Sequence, residues 1–169
     1  MKYLPLLVLL ICLNSHADTQ YRLGSGDLIK IQVFGEDDLS MEVRINDQAT
    51  ISYPFLGQMT VLDKSVLELE ADIVNGLRGD YLIQPRVTVS IVEYRPFFIT
   101  GEVEEPGKYP YQPGLTLRKA VTMAGGFTER ASKTKIYTAQ GNSAKNRHTI
   151  SLDDQVKPDD VITVEQSFF

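Results

Sequence analysis

The sequence predicts an α+β protein, because short alternating strand patterns run along most of it and two capped helical patterns interrupt them. Pro96 divides this pattern into two units, and the second unit has the order β-β-α-β-β-β. The chain has 169 residues, which is enough for two small domains that share an interface. We therefore expect a leader at 1–17, a first domain at 18–95 and a second domain at 96–169.

The leader has the three-part pattern of a secretory signal peptide. Its apolar run from Leu4 to Leu13 is about half of the ~20 residues that a membrane-spanning helix needs. Ser15 and Ala17 place small residues at −3 and −1, so we expect export and cleavage after Ala17. Two alternatives stay open, namely lipidation of Cys12 and a buried amino-terminal strand or helix.

In the first domain, three alternating apolar runs predict strands, and a turn is expected at Asn46-Asp47. The runs are Leu28 to Phe34, Thr50 to Tyr53 and Val87 to Val92. A helix is predicted from Ser65 to Leu77, because Ser65 and Glu68 form a capping box and an apolar stripe follows at helical spacing. Gly79 is a suitable terminator.

In the second domain, a Pro106-Gly107 turn joins the first two predicted strands. Thr116 caps a helix that Gly125-Gly126 ends. The predicted strands are Phe97 to Thr100, Lys108 to Tyr111, Thr134 to Ala139, Arg147 to Leu152 and Val161 to Val164. A polar hairpin tip is expected at residues 141–146.

Composition excludes several classes of function. The formal net charge is −5 and there is no basic run, so nucleic acid is not an expected partner. One cysteine and two histidines leave no disulfide framework and no multi-histidine metal site. Gly24 and Gly26 begin a dinucleotide-like loop, but Ile29 stands where its third glycine belongs. We expect no enzyme, no metal site and no cofactor.

The glycine and proline pattern resembles a family, the bacterial capsule and exopolysaccharide export proteins of the Wza type. Residues 21–35 (YRLGSGDLIKIQVFG), 51–57 (ISYPFLG) and 85–89 (PRVTV) are similar to the polysaccharide export domain of that family. Residues 101–109 (GEVEEPGKY) and 124–127 (AGGF) are similar to the SLBB β-grasp module. The resemblance implies a small α/β export domain at 18–95 and a β-grasp-like SLBB module at 96–169.

The motif positions of this resemblance are expected to be structural. They are Gly24, Gly26, Asp27, Gly35, Pro54, Gly57, Gly101, Pro106, Gly107, Gly125 and Gly126. Glycines of the second domain, including Gly114, are expected where φ is positive or where a Cβ would clash.

The chain departs from the family pattern at two turns. Ala49 stands where the family has glycine and does not easily adopt positive φ, so we expect that turn to move to Asn46-Asp47. Asp159 replaces glycine in the turn at 158–160, and aspartate tolerates the left-handed region.

The resemblance implies a periplasmic, non-catalytic component of polysaccharide export, in the periplasm or peripheral to the outer membrane. It would form a homo-oligomeric ring that passes glycan from an inner-membrane polysaccharide co-polymerase towards an outer-membrane porin or a longer paralogue. Since the sequence stops at Phe169, we expect a short form without the outer-membrane helix of larger members. The alternative is a monomeric periplasmic glycan-binding module that contacts sugar through Tyr109 and Tyr111, and oligomeric state distinguishes the two.

Overall fold

The computed structural model describes residues 21–140 and 147–167, which form two α+β units and confirm the predicted fold class. The elements are β1 (Leu28–Val33), a 3-10 helix (Asp37–Leu39), β2 (Met41–Arg44), β3 (Thr50–Tyr53), β4 (Gly57–Thr60), α1 (Val66–Leu77), β5 (Val87–Glu93), β6 (Phe97–Gly101), β7 (Gly107–Tyr109), α2 (Leu117–Met123), β8 (Ala131–Gln140), β9 (His148–Thr149) and β10 (Asp160–Gln166). The expected signal peptide with Cys12 and its cleavage site, the hairpin tip at 141–146, and Phe169 lie outside the described residues.

The first unit is an antiparallel sheet in the order β2-β1-β5, with α1 packed against β5 and the hairpin β3-β4 beside it. Alternation along β1 buries Ile29, Ile31 and Val33 and leaves Lys30 and Gln32 exposed, as expected for a half-buried strand. A single apolar cluster, with members from Leu23 to Val89, forms the core of this unit.

Helix α1 follows the sequence prediction closely. The Ser65 side chain accepts from the Glu68 N–H, and the Glu68 carboxylate accepts from the Ser65 N–H at 2.6 Å, which completes the capping box. The apolar stripe places Leu69, Ile73 and Leu77 in the core, fully buried. Gly79 has φ +92° just past the helix end, as a glycine terminator requires.

The second unit is a mixed sheet in the order β7-β6-β10-β8-β9, with β6 and β10 parallel. Its order β-β-α-β-β-β is the predicted one. Helix α2 buries Leu117, Ala120 and Val121, and a second apolar cluster, with members from Phe97 to Val164, forms a core separate from the first. In the described residues, no helix is long and apolar enough to cross a membrane.

Four local expectations need correction. The sequence prediction missed β2, β4 and the 3-10 helix, because short strands with mostly exposed side chains carry little burial signal. Strand β9 is shorter than expected. Ala49 does adopt positive φ, at +54°, so the left-handed position has not moved; the Asn46 side chain supports the turn by accepting from the backbone of Gln48 and Thr50. Gly107 has neither a positive φ nor a clash at its Cβ position.

Candidate functional site

The Gly24-Ser25-Gly26-Asp27 turn forms a buried polar cluster at the end of the first unit. Asp27 is fully buried, and its carboxylate accepts from the Tyr21 hydroxyl at 2.7 Å and from the Gly24 N–H at 2.9 Å. Gly26 has φ +95° at the turn, which favours glycine. The motif therefore aims one carboxylate into the protein instead of cradling a ligand.

Arg95 completes this cluster from the segment that joins the two units. Its backbone N–H donates to Asp27 at 2.7 Å, and its guanidinium lies 3.0 Å from the other carboxylate oxygen. A Cβ on Gly24 would lie 2.5 Å from the guanidinium, so a side chain at this position would displace Arg95 from its contact with Asp27. Asp27 thus fixes the connecting segment to the first unit through both the backbone and the side chain of Arg95.

Tyrosine rings continue the contact from the cluster into the second unit. Tyr94 packs edge-on against Tyr21, with ring centroids 4.8 Å apart, and against Tyr111, at 5.7 Å. Burial, followed by the hydrogen bond to Asp27, raises the pKa of Tyr21 far above its ordinary value, and burial also raises the pKa of Tyr111. Beside these rings a polar groove of about 410 Å³ lies between residues of both units, including Arg22, Arg95 and Asp159.

The two tyrosines suggested as sugar contacts are therefore engaged within the protein. Tyr111 packs on Tyr94, and Tyr109 stacks on the buried Phe97 with its hydroxyl donating to the Glu105 carbonyl at 2.5 Å. Both rings are half-buried. Glycan contact through Tyr109 and Tyr111 remains a prediction, and only part of each ring is exposed for such a contact.

The remaining motif glycines divide by what a side chain would meet. Gly101 has φ +87°, and a Cβ there would lie 2.0 Å from the Val164 carbonyl oxygen, because β6 runs against β10 at this point. A Cβ on Gly125 would lie 2.9 Å from the Glu104 side chain. Positive φ with open space around the Cβ position is found at Gly35, Gly57, Gly114 and Gly126.

An open polar groove of about 530 Å³ lies along β1 and β2 and the turn that joins them. Lys30 and Glu42 face each other across the strands at 3.8 Å, and Phe34 projects at the end of the groove beneath the Arg86 guanidinium. In residues 21–140 and 147–167, no three metal-ligating side chains come together. The groove thus offers hydrogen-bonding groups, one surface ion pair and an aromatic ring.

Sequence reasoning missed three residues that shape these surfaces. Arg95 was treated only as a boundary residue. A buried aspartate in the GSGD motif needs a cationic partner, and this need was the available signal for Arg95. Phe55 and Tyr81 are exposed aromatics in loops whose rings pack together, 4.7 Å apart. Phe55 lies inside the YPFLG block, so its position after Pro54 in a tight turn was the available signal.

Comparison with known proteins decides the family. Residues 15–92 match the family described as polysaccharide biosynthesis/export protein, and residues 96–147 match the SLBB domain, in that order. The chain belongs to the polysaccharide export protein family. The export-protein match contains Tyr21 and Asp27, the SLBB match begins at residue 96, and Arg95 lies between the two matches.

Curated proteins that resemble this chain have names that refer to exopolysaccharide production and export. The exopolysaccharide production protein ExoF of Rhizobium meliloti (strain 1021) is 32% identical over 124 residues, 64% of this chain and 28% of the relative. The EPS I polysaccharide export outer membrane protein EpsA of Ralstonia nicotianae is 25% identical over 150 residues, 73% of this chain and 39% of the relative. EpsA of Ralstonia solanacearum is 24% identical over 135 residues, 64% of this chain and 36% of the relative. The chain therefore spans less than half the length of each.

Proposed function

We propose that this protein is a non-catalytic component of capsule or exopolysaccharide export that acts in the periplasm. The observation that carries the proposal is the ordered pair of export and SLBB domains, together with relatives named for exopolysaccharide production and export. We place the domain boundary at Arg95-Pro96, where the two apolar cores separate.

In this proposal, copies of the chain pack side by side into a ring that conducts glycan from an inner-membrane co-polymerase towards an outer-membrane porin or a longer paralogue. A closed ring needs every subunit to have the same angle between its two domains. The Asp27–Arg95 cluster and the Tyr21–Tyr94–Tyr111 contacts supply a joint that fixes the connecting segment. The motif glycines would then serve the fold of each subunit, and the groove along β1 and β2 would offer weak, hydrated contacts to a moving polymer.

A gene deletion with complementation tests the export role. We expect the deletion to abolish extracellular polymer while nucleotide-sugar precursors and lipid-linked repeat units continue to be made. Complementation with the full chain should restore the polymer. Unchanged extracellular polymer in the deletion strain would contradict the proposal, and so would glycosyltransferase or hydrolase turnover by the pure protein that a single acidic substitution removes.

Oligomeric state tests the ring against the alternative of a monomeric glycan-binding module. Native mass spectrometry of the mature protein, with and without the co-polymerase, should show a closed set of copies. A monomer under both conditions, with micromolar affinity for oligosaccharide, would support the binding module instead.

A further inference from the structure

Phe55 and Tyr81 form an aromatic pair at the surface of the export domain. The two rings are 63% and 46% exposed, their centroids are 4.7 Å apart and their planes are inclined by 30°. Among the ring pairs of the described residues, this is the one in which both rings are exposed. An exposed aromatic surface in a water-soluble fold is typical of a binding site.

The backbone at Phe55 is strained. The Leu56 N–H donates to the Pro54 carbonyl at 2.8 Å, which closes a γ-turn with Phe55 at its centre, and Phe55 has φ +63°. A γ-turn with positive φ is rare, and a bulky residue there is disfavoured. The strained turn leaves the Phe55 ring exposed, so burial of the ring does not compensate for the strain. Strained residues of this kind are typical of functional sites, which points to a role for the exposed ring.

Neighbouring contacts hold this strained turn in place. Leu56 packs on α1 where Gly76 leaves space, because a Cβ at Gly76 would lie 2.7 Å from the leucine side chain. The buried Tyr53 hydroxyl donates to the Leu39 carbonyl at 2.8 Å, which ties the 3-10 helix to the same turn. The surface that displays Phe55 is therefore preformed.

Tyr81 is held from the other side by the turn that ends α1. The Gly79 N–H donates to the Leu82 carbonyl, and the Leu82 N–H donates to the Leu77 carbonyl, both at 2.9 Å. This places the Tyr81 hydroxyl 3.5 Å from the Phe55 carbonyl oxygen, with its ring against Phe55. Two separate loops thus converge on one aromatic surface.

The pair lines a pocket of about 340 Å³ whose other polar groups are carboxylates. Glu36, Asp38 and Asp80 surround it, and among the residues that the structure describes no lysine, arginine or histidine lines it. Ionised carboxylates only accept hydrogen bonds, so they suit a ligand that carries several hydroxyl donors. Their shared negative charge also repels an anionic ligand.

We propose that the pocket formed by Phe55, Tyr81 and the three carboxylates binds an uncharged sugar ring of the exported polymer. The apolar C–H face of the ring stacks on the two aromatic rings, and its hydroxyls donate to the carboxylates. The inference rests on the proposed export function for the source of the sugar. Beyond that function, the inference names the residues that contact the sugar and states that the sugar unit is uncharged. A uronate, which is anionic, is therefore excluded from this pocket.

A second copy of the chain fits this surface less well. The cores of protein interfaces are depleted in charged residues, whereas three carboxylates surround this pair. Ile83 lies two residues from Tyr81, is 89% exposed and does not line the pocket. An interface would use Ile83 as much as Tyr81, whereas a sugar site would not, so Ile83 separates the two occupants.

Binding of defined hexasaccharides to the mature protein tests the proposal. Saturation-transfer NMR and titration should detect the neutral maltohexaose or laminarihexaose with a dissociation constant of about 1 mM. Hexagalacturonate, of equal length but anionic, should bind at least about tenfold more weakly at low salt. Asp80→Asn should reduce this discrimination, because it removes one negative charge from the pocket.

Variants then locate the site. Phe55→Asn removes the ring but tolerates positive φ, so the turn can persist. It and Tyr81→Ala should each weaken neutral binding about fivefold or more, while Ile83→Ala should leave binding unchanged. Matched circular dichroism and melting curves should confirm that all three variants fold.

Three results would overturn the inference. The first is failure of both neutral hexasaccharides to bind, and the second is equal binding of the neutral and anionic ligands. The third is an equal effect of Ile83→Ala and Tyr81→Ala on binding, together with loss of self-association in both variants. This third result would assign the surface to contact between copies of the chain. Failure of the export proposal is recognised separately. If the protein binds neutral sugar at Phe55 and Tyr81 but its deletion leaves polymer export intact, the site stands and the export function falls.

Discussion

The Asp27 side chain makes most of the polar contacts that hold the inter-domain joint together. Its carboxylate takes hydrogen bonds from Tyr21, Gly24 and the backbone of Arg95, and it neutralises the Arg95 guanidinium. A buried charge with several donors is stable only while its partners remain, because an unpaired group there has lost its water. Substitution of the carboxylate therefore leaves several groups unsatisfied at once.

We expect Asp27→Ala to lower the free energy of unfolding by about 2–4 kcal/mol, since it breaks a buried ion pair and leaves buried donors without an acceptor. Urea denaturation measures this value. Arg118→Ala is the matched control, because Arg118 pairs with Asp153 on the surface at 2.7 Å and such pairs contribute at most about 1 kcal/mol. Equal effects of the two substitutions would show that the cluster does not carry the joint.

Three glycines of the SLBB domain should separate into three stability classes on substitution by alanine. Gly101→Ala places a Cβ 2.0 Å from the Val164 carbonyl at φ +87°, and we expect a loss of more than about 3 kcal/mol. Gly114→Ala has positive φ but open space, which costs about 1 kcal/mol. Gly107→Ala has neither problem and should change stability by less than about 0.5 kcal/mol. Thermal melting of the three variants checks the order, and a large effect at Gly107 would reveal a contact outside this subunit.

The carboxyl groups of Asp160 and Glu68 should contribute to the free energy of unfolding with opposite dependences on pH. Burial raises the pKa of Asp160, so its contribution to stability is present below its unfolded pKa, near 4, and is lost as the pH rises through its folded pKa. Asp160→Asn keeps an acceptor for the Lys157 N–H and stays neutral, so the stability of this variant relative to wild type should rise as the pH increases from about 4 through the folded pKa of Asp160.

Glu68 is the matched opposite case. The hydrogen bond from the Ser65 N–H, followed by the Ser65 side chain, lowers its pKa, and its contribution is lost as the pH falls through that value. The advantage of wild type over Glu68→Gln should therefore be present at neutral pH and disappear in acid. Unfolding curves at several pH values check both signs, and parallel curves for either pair would contradict the shift assigned to it.

At the scale of elements, the sequence predicted those parts of the fold whose signals are local. The capping box of α1, the Thr116 cap of α2 and the alternation of β1 lie within a few residues of the elements they define. Strand β4 pairs with its neighbour β3 in a local hairpin, but most of its side chains are exposed, so it carries little burial signal. The pocket around Tyr81 depends on a contact with Phe55, 26 residues earlier, and the sequence pattern does not contain it. For the same reason the GSGD motif was recognised but its partner Arg95 was not.

The two helix caps should differ in strength. The Ser65 hydroxyl is buried and belongs to a reciprocal pair, so Ser65→Ala should cost about 1–2 kcal/mol. The Thr116 hydroxyl lies 3.5 Å from the Lys119 nitrogen, a long and weak contact, and Thr116→Ala should cost about 0.5 kcal/mol. Chemical denaturation of the two variants measures the difference, and a larger loss at Thr116 would contradict it.

At the scale of the molecule, two separate cores are joined by a short segment and a row of tyrosines. Each core is small, so the relative orientation of the domains depends on the few side chains at the joint. Tyr94 is central because its ring contacts Tyr21 in the export domain and Tyr111 in the SLBB domain. Loss of this ring should free the orientation while leaving both cores folded.

We therefore expect Tyr94→Ala to give the two domains shorter and unequal rotational correlation times by nitrogen-15 relaxation. Tyr137→Ala is the matched control, because it also removes a tyrosine ring, but one that lies in β8 of the SLBB domain beneath the Arg147 guanidinium. If a ring of copies needs one fixed domain angle, the Tyr94 variant should also lose self-association and polymer export but retain neutral sugar binding at Phe55 and Tyr81. Self-association that survives while the domains tumble independently would show that the joint is not what orients the subunits.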